Sequence, residues 1–164
     1  LTLVGGDPGI GKSTLMLQIC QSLGRERSVL YVSGEESMSQ IKLRAERLGV
    51  DTPNLFLACE TNVESIVAEC TATTPGVLIV DSVQTMMCER ASGTPGSVSQ
   101  IKEATAAFMH LAKEQGIKLV ACQMTVDLLG LKEEEIMEGV EFAGVGAYLA
   151  DASDGNVNLF IFWR

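Results

Sequence analysis

Gly6-Asp7-Pro8-Gly9-Ile10-Gly11-Lys12-Ser13, followed by Thr14, decides how the rest of the chain is read. The stretch fits G-x-x-x-x-G-K-[ST], the phosphate-binding loop. Glycine permits backbone angles that a Cβ forbids, so successive N–H groups can converge on one anion. Lys12 would reach the β- and γ-phosphates of a nucleotide, and the Ser13 hydroxyl would ligate Mg2+. The helix that follows offers its N-terminus to the same anion. Both flanks suit this reading better than a chance glycine turn. Leu1-Thr2-Leu3-Val4 reads as a buried strand, and Leu15 through Cys20 as a helix that Gly24 ends.

Moving outward, Ser28-Val29-Leu30-Tyr31-Val32 is an apolar, β-branched strand. It ends in Ser33-Gly34-Glu35-Glu36-Ser37, at the edge where open α/β sheets place ligands. Glu35 is a candidate to orient or activate an attacking water, with Glu36 as its substitute. The alternative is that both acids complement the dipole of the next helix. Ser37 caps that helix, Met38 to Leu48, and Gly49 closes it. Asn54 to Ala58 is a short strand, and Thr61 with Glu64 reads as a capping box opening a helix to about Thr71. Val77-Leu78-Ile79-Val80-Asp81 is a buried strand that delivers a carboxylate to the Mg2+ shell. Gln84 follows as a candidate to sense the γ-phosphate or the next element.

Met86 to Ser97 reads as a loop. After it Ile101, Ala104, Phe108, Leu111 and Ala112 recur at helical spacing as far as Gly116. His110, the single histidine, has no acid or cysteine at ligand spacing and reads as a surface or packing residue. Lys118 to Cys122 is a further strand, and Gln123 at its end is a second candidate γ-phosphate contact. Asp127 to Met137 reads as short helical stretches with a solvated acid run. Gly139 to Gly146 is a glycine-rich loop without a lysine. A helix from about Ala147 to Ser153 and a strand from Val157 to Trp163 complete the pattern. Strands and helices alternate throughout. They imply one α/β domain over residues 1–164, with a doubly wound, mostly parallel sheet of about five to six strands.

The 164 residues suit one core, which is aliphatic: 46% are hydrophobic and only 5% aromatic. A net charge of −9, from 12 basic and 21 acidic residues, disfavours a nucleic-acid or anionic-membrane surface. Arg25, Arg27, Lys42, Arg44 and Arg47 lie close in sequence, either as a local basic patch or as a solvated helix face. The five cysteines form no C-x-x-C pair, so no zinc or thioredoxin-type motif is visible. Their odd number, without a signal peptide, reads as reduced thiols in a cytoplasm. No apolar run reaches membrane-spanning length. The chain starts almost inside its first strand and stops soon after its last, as an excised or minimal domain would.

Five stretches carry a resemblance in order: Gly5 to Thr14, Tyr31 to Ser37, Leu43 to Gly49, Val80 to Gln84 and Pro95 to Gln100. Together they resemble the RadA/Sms bacterial DNA-repair proteins, which are RecA-like ATPases. The resemblance implies a P-loop NTPase/RecA-like front over about residues 1–116, with ATP and Mg2+ as ligands. In the full protein it implies a DNA-dependent motor for strand exchange and branch migration. By the family pattern Lys12 and Ser13 take phosphate and metal, Asp81 supports the metal, and Glu35 activates water. The family's Gly-His-Val-Thr-Lys and Lys-Asn-Arg-Phe-Gly segments are absent, as are its zinc finger and Lon-like domain.

From Ile117 to Asp127, then Gly139 to Glu141 and Asn156 to Ile161, the chain resembles DsrE-like proteins instead. That resemblance implies a flavodoxin-like back over about residues 117–164 and sulfur chemistry at Cys122. The alternative for Cys122 is a small buried apolar residue. The two resemblances imply an engineered chimera that binds ATP or ADP with Mg2+ and hydrolyses weakly or not at all, because RecA-like sites borrow groups from a neighbouring subunit. DNA is the less favoured partner, a sulfur carrier is a further alternative, and no membrane partner is expected.

Overall fold

The computed structural model describes Asp7, residues 9–117, 119–128, Gly130, residues 132–136 and residues 138–144. The expected strand at Leu1 to Val4, the helix near Ala147 and the strand at Val157 to Trp163 lie outside the described residues, as do Gly6 and Pro8. The chain divides into two compact units, one of residues 6–108 and one of residues 1–5 with 109–164.

The larger unit is built on β1 (Val29–Ser33), β2 (Leu55–Cys59) and β3 (Val77–Asp81), all parallel, in the order β2-β1-β3. Every residue of β1 is buried, as a strand covered on both faces must be. Four helices belong here: α1 (Lys12–Leu23), α2 (Met38–Arg47), α3 (Val63–Thr73) and α4 (Val98–Glu114) as far as Phe108. The chain passes from β1 to β2 on one side, then crosses back to β3 on the other. Right-handed crossovers in opposite directions put α2 and α3 on opposite faces of the sheet. This is the doubly wound arrangement, and it makes β1 the point where the winding reverses.

Alternate residues of the strands define the face toward α1 and α2. Leu17 and Cys20 of α1, Ile41 of α2 and Val29 and Tyr31 of β1 form a buried cluster, with Leu55, Leu57, Val77 and Ile79 packed against it. Leu30 and Val32 are buried on the other face.

Local chemistry sets the element ends. Ser37 caps α2 in a full capping box: its side chain accepts from the Gln40 N–H, and the Gln40 side chain accepts from the Ser37 N–H. The α3 cap differs from the expected Thr61–Glu64 box. Asn62 is the cap, accepting from the Ser65 N–H at 2.7 Å, because the Glu60 carboxylate already takes the N–H groups of Thr61 and Asn62. Gly24 ends α1 with ordinary right-handed angles, and space is the reason for glycine there. A Cβ would lie 2.6 Å from Thr52. Gln100 is a buried amide whose Oε1 accepts from the Cys88 N–H, while Nε2 donates to the carbonyls of Cys88, Ala91 and Gly93. It thereby fixes the segment after β3 that was expected to be a loop.

The smaller unit holds the end of α4, then β4 (Val120–Cys122), α5 (Gln123–Leu128) and β5 (Glu141–Ala143). β5 pairs in parallel with β4, Cys122 opposite Ala143. The glycine-rich stretch read as a loop therefore contains a strand between Gly139 and Gly144. Three residues paired to a partner twenty residues away leave no local periodicity to read. Helix α5 also starts directly at Gln123, ahead of the expected Asp127. Among the described residues the strands make a three-stranded and a two-stranded sheet, and no helix is long and apolar enough to cross a membrane.

Burial pushes the Cys20 thiol up to about 11, well above the usual range of a thiol. The unfolded chain ionises this thiol first, so its contribution is full below about pH 9 and is lost as pH rises toward 11. A shift of that size corresponds to about 2–3 kcal/mol. Wild type is therefore expected to lose stability between pH 8.5 and 10.5 more steeply than Cys20→Ala, a difference that urea melts at roughly those two pH values would measure. Parallel curves would rule the effect out.

Candidate functional site

The loop and α1 come first. Gly9 and Gly11 hold φ of 80° and 102°, and no atom lies within 4 Å of where either Cβ would be. Glycine is thus required by backbone angle, and the space beside the loop is open. Gly11 is the α1 cap, and Lys12, Ser13 and Thr14 form its first turn, all partly buried. The Lys12 ammonium donates to the Asp7 carbonyl at 2.9 Å, folding the side chain back over the loop. Ile10 is 70% exposed.

Chain geometry carries this turn to the carboxyl edge of the sheet. The short connection from Leu23 to Val29 makes α1 antiparallel to β1. Twelve helical residues span about 18 Å and five strand residues about 17 Å, so Lys12 returns to the level of Ser33. Helix α1 packs against β3. Asp81 follows Val77 and Ile79 at period two and so shares their face, the α1 face.

At this edge β1 and β3 are tied together. Ser33 pairs with Asp81, the Gly34 N–H donates to the Asp81 carbonyl at 2.9 Å, and the Ser82 hydroxyl donates to Glu35 Oε1 at 2.7 Å. Ser33 is itself buried, and its Oγ accepts from the Glu36 N–H at 3.0 Å, setting the bend that turns Glu35 outward. The Tyr31 hydroxyl donates to Asp81 Oδ2 at 2.5 Å. Burial first, and the Asp81 carboxylate second, hold the Tyr31 phenol far above its usual range. The structure thus brings Glu35 and Asp81 into one hydrogen-bonded edge. Glu36 turns the other way and pairs with Arg44 on α2, so the substitute role foreseen for it is taken up by an ion pair.

Beside Glu35 lies an open cleft of about 340 Å3 lined by Ser33 to Ser37 and Cys59 to Thr61. Among the described residues no group of three His, Cys, Asp or Glu could hold a metal alone. Ser13 and Asp81 are hard oxygen donors. They fit a Mg2+ ion that keeps waters and takes phosphate oxygens, rather than one held in an all-protein cage. Gln123 lies in the smaller unit, where its amide donates to Asp127 Oδ1 at 2.9 Å. Cys122 closes β4 directly before α5. Tyr31 and Ser82 were not singled out from sequence: their roles depend on strand register, which no local motif encodes.

Comparison with known proteins adds two findings. The profile of the DsrE/DsrF/DrsH-like family matches residues 32–160. It begins at Val32, well ahead of the junction expected near Gly116. The chain is also 55% identical over 119 residues to the DNA repair protein RadA of Streptococcus pneumoniae, which covers 73% of this chain and 28% of that protein. To the DNA repair protein RadA of Bacillus subtilis it is 50% identical over 120 residues, 73% of this chain and 26% of that protein. To that of Chlamydia muridarum it is 50% identical over 118 residues, 71% and 26%. The chain thus spans about a quarter of the length of these curated relatives. The relatives and the family profile each take in more than two thirds of the chain, so they share much of it.

Proposed function

The chain belongs to the DsrE/DsrF/DrsH-like family; from the glycine loop at its start and the acids at its sheet edge, rather than from that membership, we propose that it binds ATP or ADP with Mg2+ and hydrolyses weakly or not at all. The reading is supported by the hydrogen-bonded edge that joins Asp81 and Glu35, toward which the lengths of α1 and β1 carry the Lys12–Ser13 turn. The loop N–H groups and the start of α1 would receive the phosphates. Lys12 would exchange the Asp7 carbonyl for phosphate oxygens, and Ser13 with Asp81 would hold the metal. Bound Mg2+ would bridge phosphate oxygens and neutralise the charge developing on them. Glu35, anchored by Ser82, is placed to orient a water in the adjoining cleft.

Weak turnover is expected where one chain supplies every group. RecA-like sites draw on a neighbouring subunit, and the segments expected to serve that role are missing from the sequence. Kinship with DNA repair proteins supports a DNA-dependent ATPase as a further reading, against which the net charge of −9 weighs. Calorimetric titration with ATP, in Mg2+ and in EDTA, tests the proposal. Saturable binding strengthened by Mg2+ is expected, and no heat in either buffer would overturn it. A salt-sensitive shift of single-stranded DNA by the same preparation would favour the DNA reading instead.

Family membership favours a second activity at Cys122. A Cys122 thiolate would attack the outer sulfur of a persulfide donor, form a new S–S bond and release the donor's thiolate. Mass spectrometry should then find a 32 Da adduct, roughly one sulfur atom, on wild type and not on Cys122→Ser. The idea fails if wild type stays unmodified by a donor that loads a known carrier.

A further inference from the structure

Tyr31 lies in the core among Leu17, Cys20 and Ile41, 1% exposed. Packing alone would be served by phenylalanine. A buried phenol must find a hydrogen-bond partner, and this one reaches past Ile79 to Asp81. The two residues sit on neighbouring strands, Tyr31 opposite Ile79 and Asp81 one period further on, so both side chains share the α1 face. The hydroxyl donates to Oδ2 at 2.5 Å. One carboxylate oxygen is therefore engaged by a rigid ring with two side-chain torsions, which restrains the rotation of the carboxylate.

We propose that Tyr31 is a positioning residue, which holds the Asp81 carboxylate in the orientation that a Mg2+–nucleotide complex requires. This rests on the nucleotide reading above. A carboxylate free to rotate loses part of its metal affinity to the entropy of being ordered, whereas one fixed in advance does not. The donor is neutral and buried, so it orients the carboxylate without adding a positive charge that would repel the cation.

The test separates metal from nucleotide. Affinity for a fluorescent ATP analogue is measured in EDTA and across a Mg2+ titration, for wild type and Tyr31→Phe. The variant is expected to keep its EDTA affinity within about twofold and to need about tenfold more Mg2+ for half-saturation. A shift in neither quantity, with an unchanged melting curve, means Tyr31 only packs, and overturns the proposal. Wild type that binds nucleotide without any Mg2+ dependence overturns it too, while leaving phosphate binding by the loop intact. Wild type that binds no nucleotide at all sinks the broader reading. A measurement independent of the variant's folding is the 19F resonance of 3-fluorotyrosine at position 31. It should move on adding Mg2+ and nucleotide to wild type, and stay still in Asp81→Asn. A resonance that moves equally in both, or in neither, is inconsistent with a phenol coupled to the metal through Asp81.

Discussion

Lys12→Ala is expected to weaken MgATP binding by about 100-fold or more, with little change in stability. Lys12 is the cation of the loop, and its ammonium sits 2.9 Å from the Asp7 carbonyl. On the proposed reading, that neutral partner would be exchanged for phosphate oxygens when nucleotide binds. Hydrogen bonds to charged groups contribute about 1.5–3 kcal/mol each. Two of them amount to about 3–6 kcal/mol, and each 1.4 kcal/mol is about tenfold in affinity. Alanine is a good helix former at the first position of α1, and the loop before it is exposed, so the melting temperature should stay within about 2 °C. Calorimetry on the two proteins side by side measures the effect. Equal affinities would mean that the loop takes no phosphate.

Gly34→Ala is expected to damage both fold and site. Its Cβ would stand 2.1 Å from Thr85 Oγ1 and 2.8 Å from Thr85 Cβ and Met86 Cε. Neither neighbour can give easily. Thr85 Oγ1 donates to the Ser82 carbonyl at 2.8 Å, and Met86 is fully buried. The added methyl must therefore push the ends of β1 and β3 apart. That strains or breaks the Gly34–Asp81 and Ser82–Glu35 hydrogen bonds described above. Overpacking costs about 1–3 kcal/mol and a lost hydrogen bond about 1 kcal/mol more. For a chain of this size, a loss of about 2–4 kcal/mol lowers the melting temperature by about 5–15 °C. Thermal melts by circular dichroism would detect it, and Mg2+-dependent nucleotide affinity should fall in the same variant. A variant that melts and binds like wild type would show that this edge yields without cost.

Much of the larger unit was legible in the sequence because its signals are local. The glycine loop before Lys12, the apolar run into Asp81 and the Ser37 cap each declare themselves within eight residues. The remainder depended on distance along the chain. Tyr31 and Asp81 are 50 residues apart and meet only once β1 and β3 pair in register. Glu60 displaced the Thr61 cap because its carboxylate could curl back onto two N–H groups, a choice propensity does not predict. β5 was hidden because three residues between glycines become a strand only when β4 lies beside them. Glu36 was read as interchangeable with Glu35, yet one residue of phase sends them to different partners, Arg44 and Ser82.

The reversal of winding at β1 also sets an order of assembly. β1 is the first described strand of its sheet to be made, and both described neighbours come later: Leu55 pairs with Val29 across 26 positions, and Val77 with Val29 across 48. Closing the longer loop costs about 0.5 kcal/mol more entropy than closing the shorter. The β1–β2 pair is thus the nearer intermediate on the way to the native state, and it lacks Asp81 and Ser82. A ribosome that has released the chain only as far as α3 holds two of the three described strands, with the loop and Glu35 already present but not Asp81. If the unit binds Mg2+–nucleotide as proposed, the Mg2+-dependent part of that affinity would be complete only when the last strand has docked, and the complex would draw the final step forward by mass action.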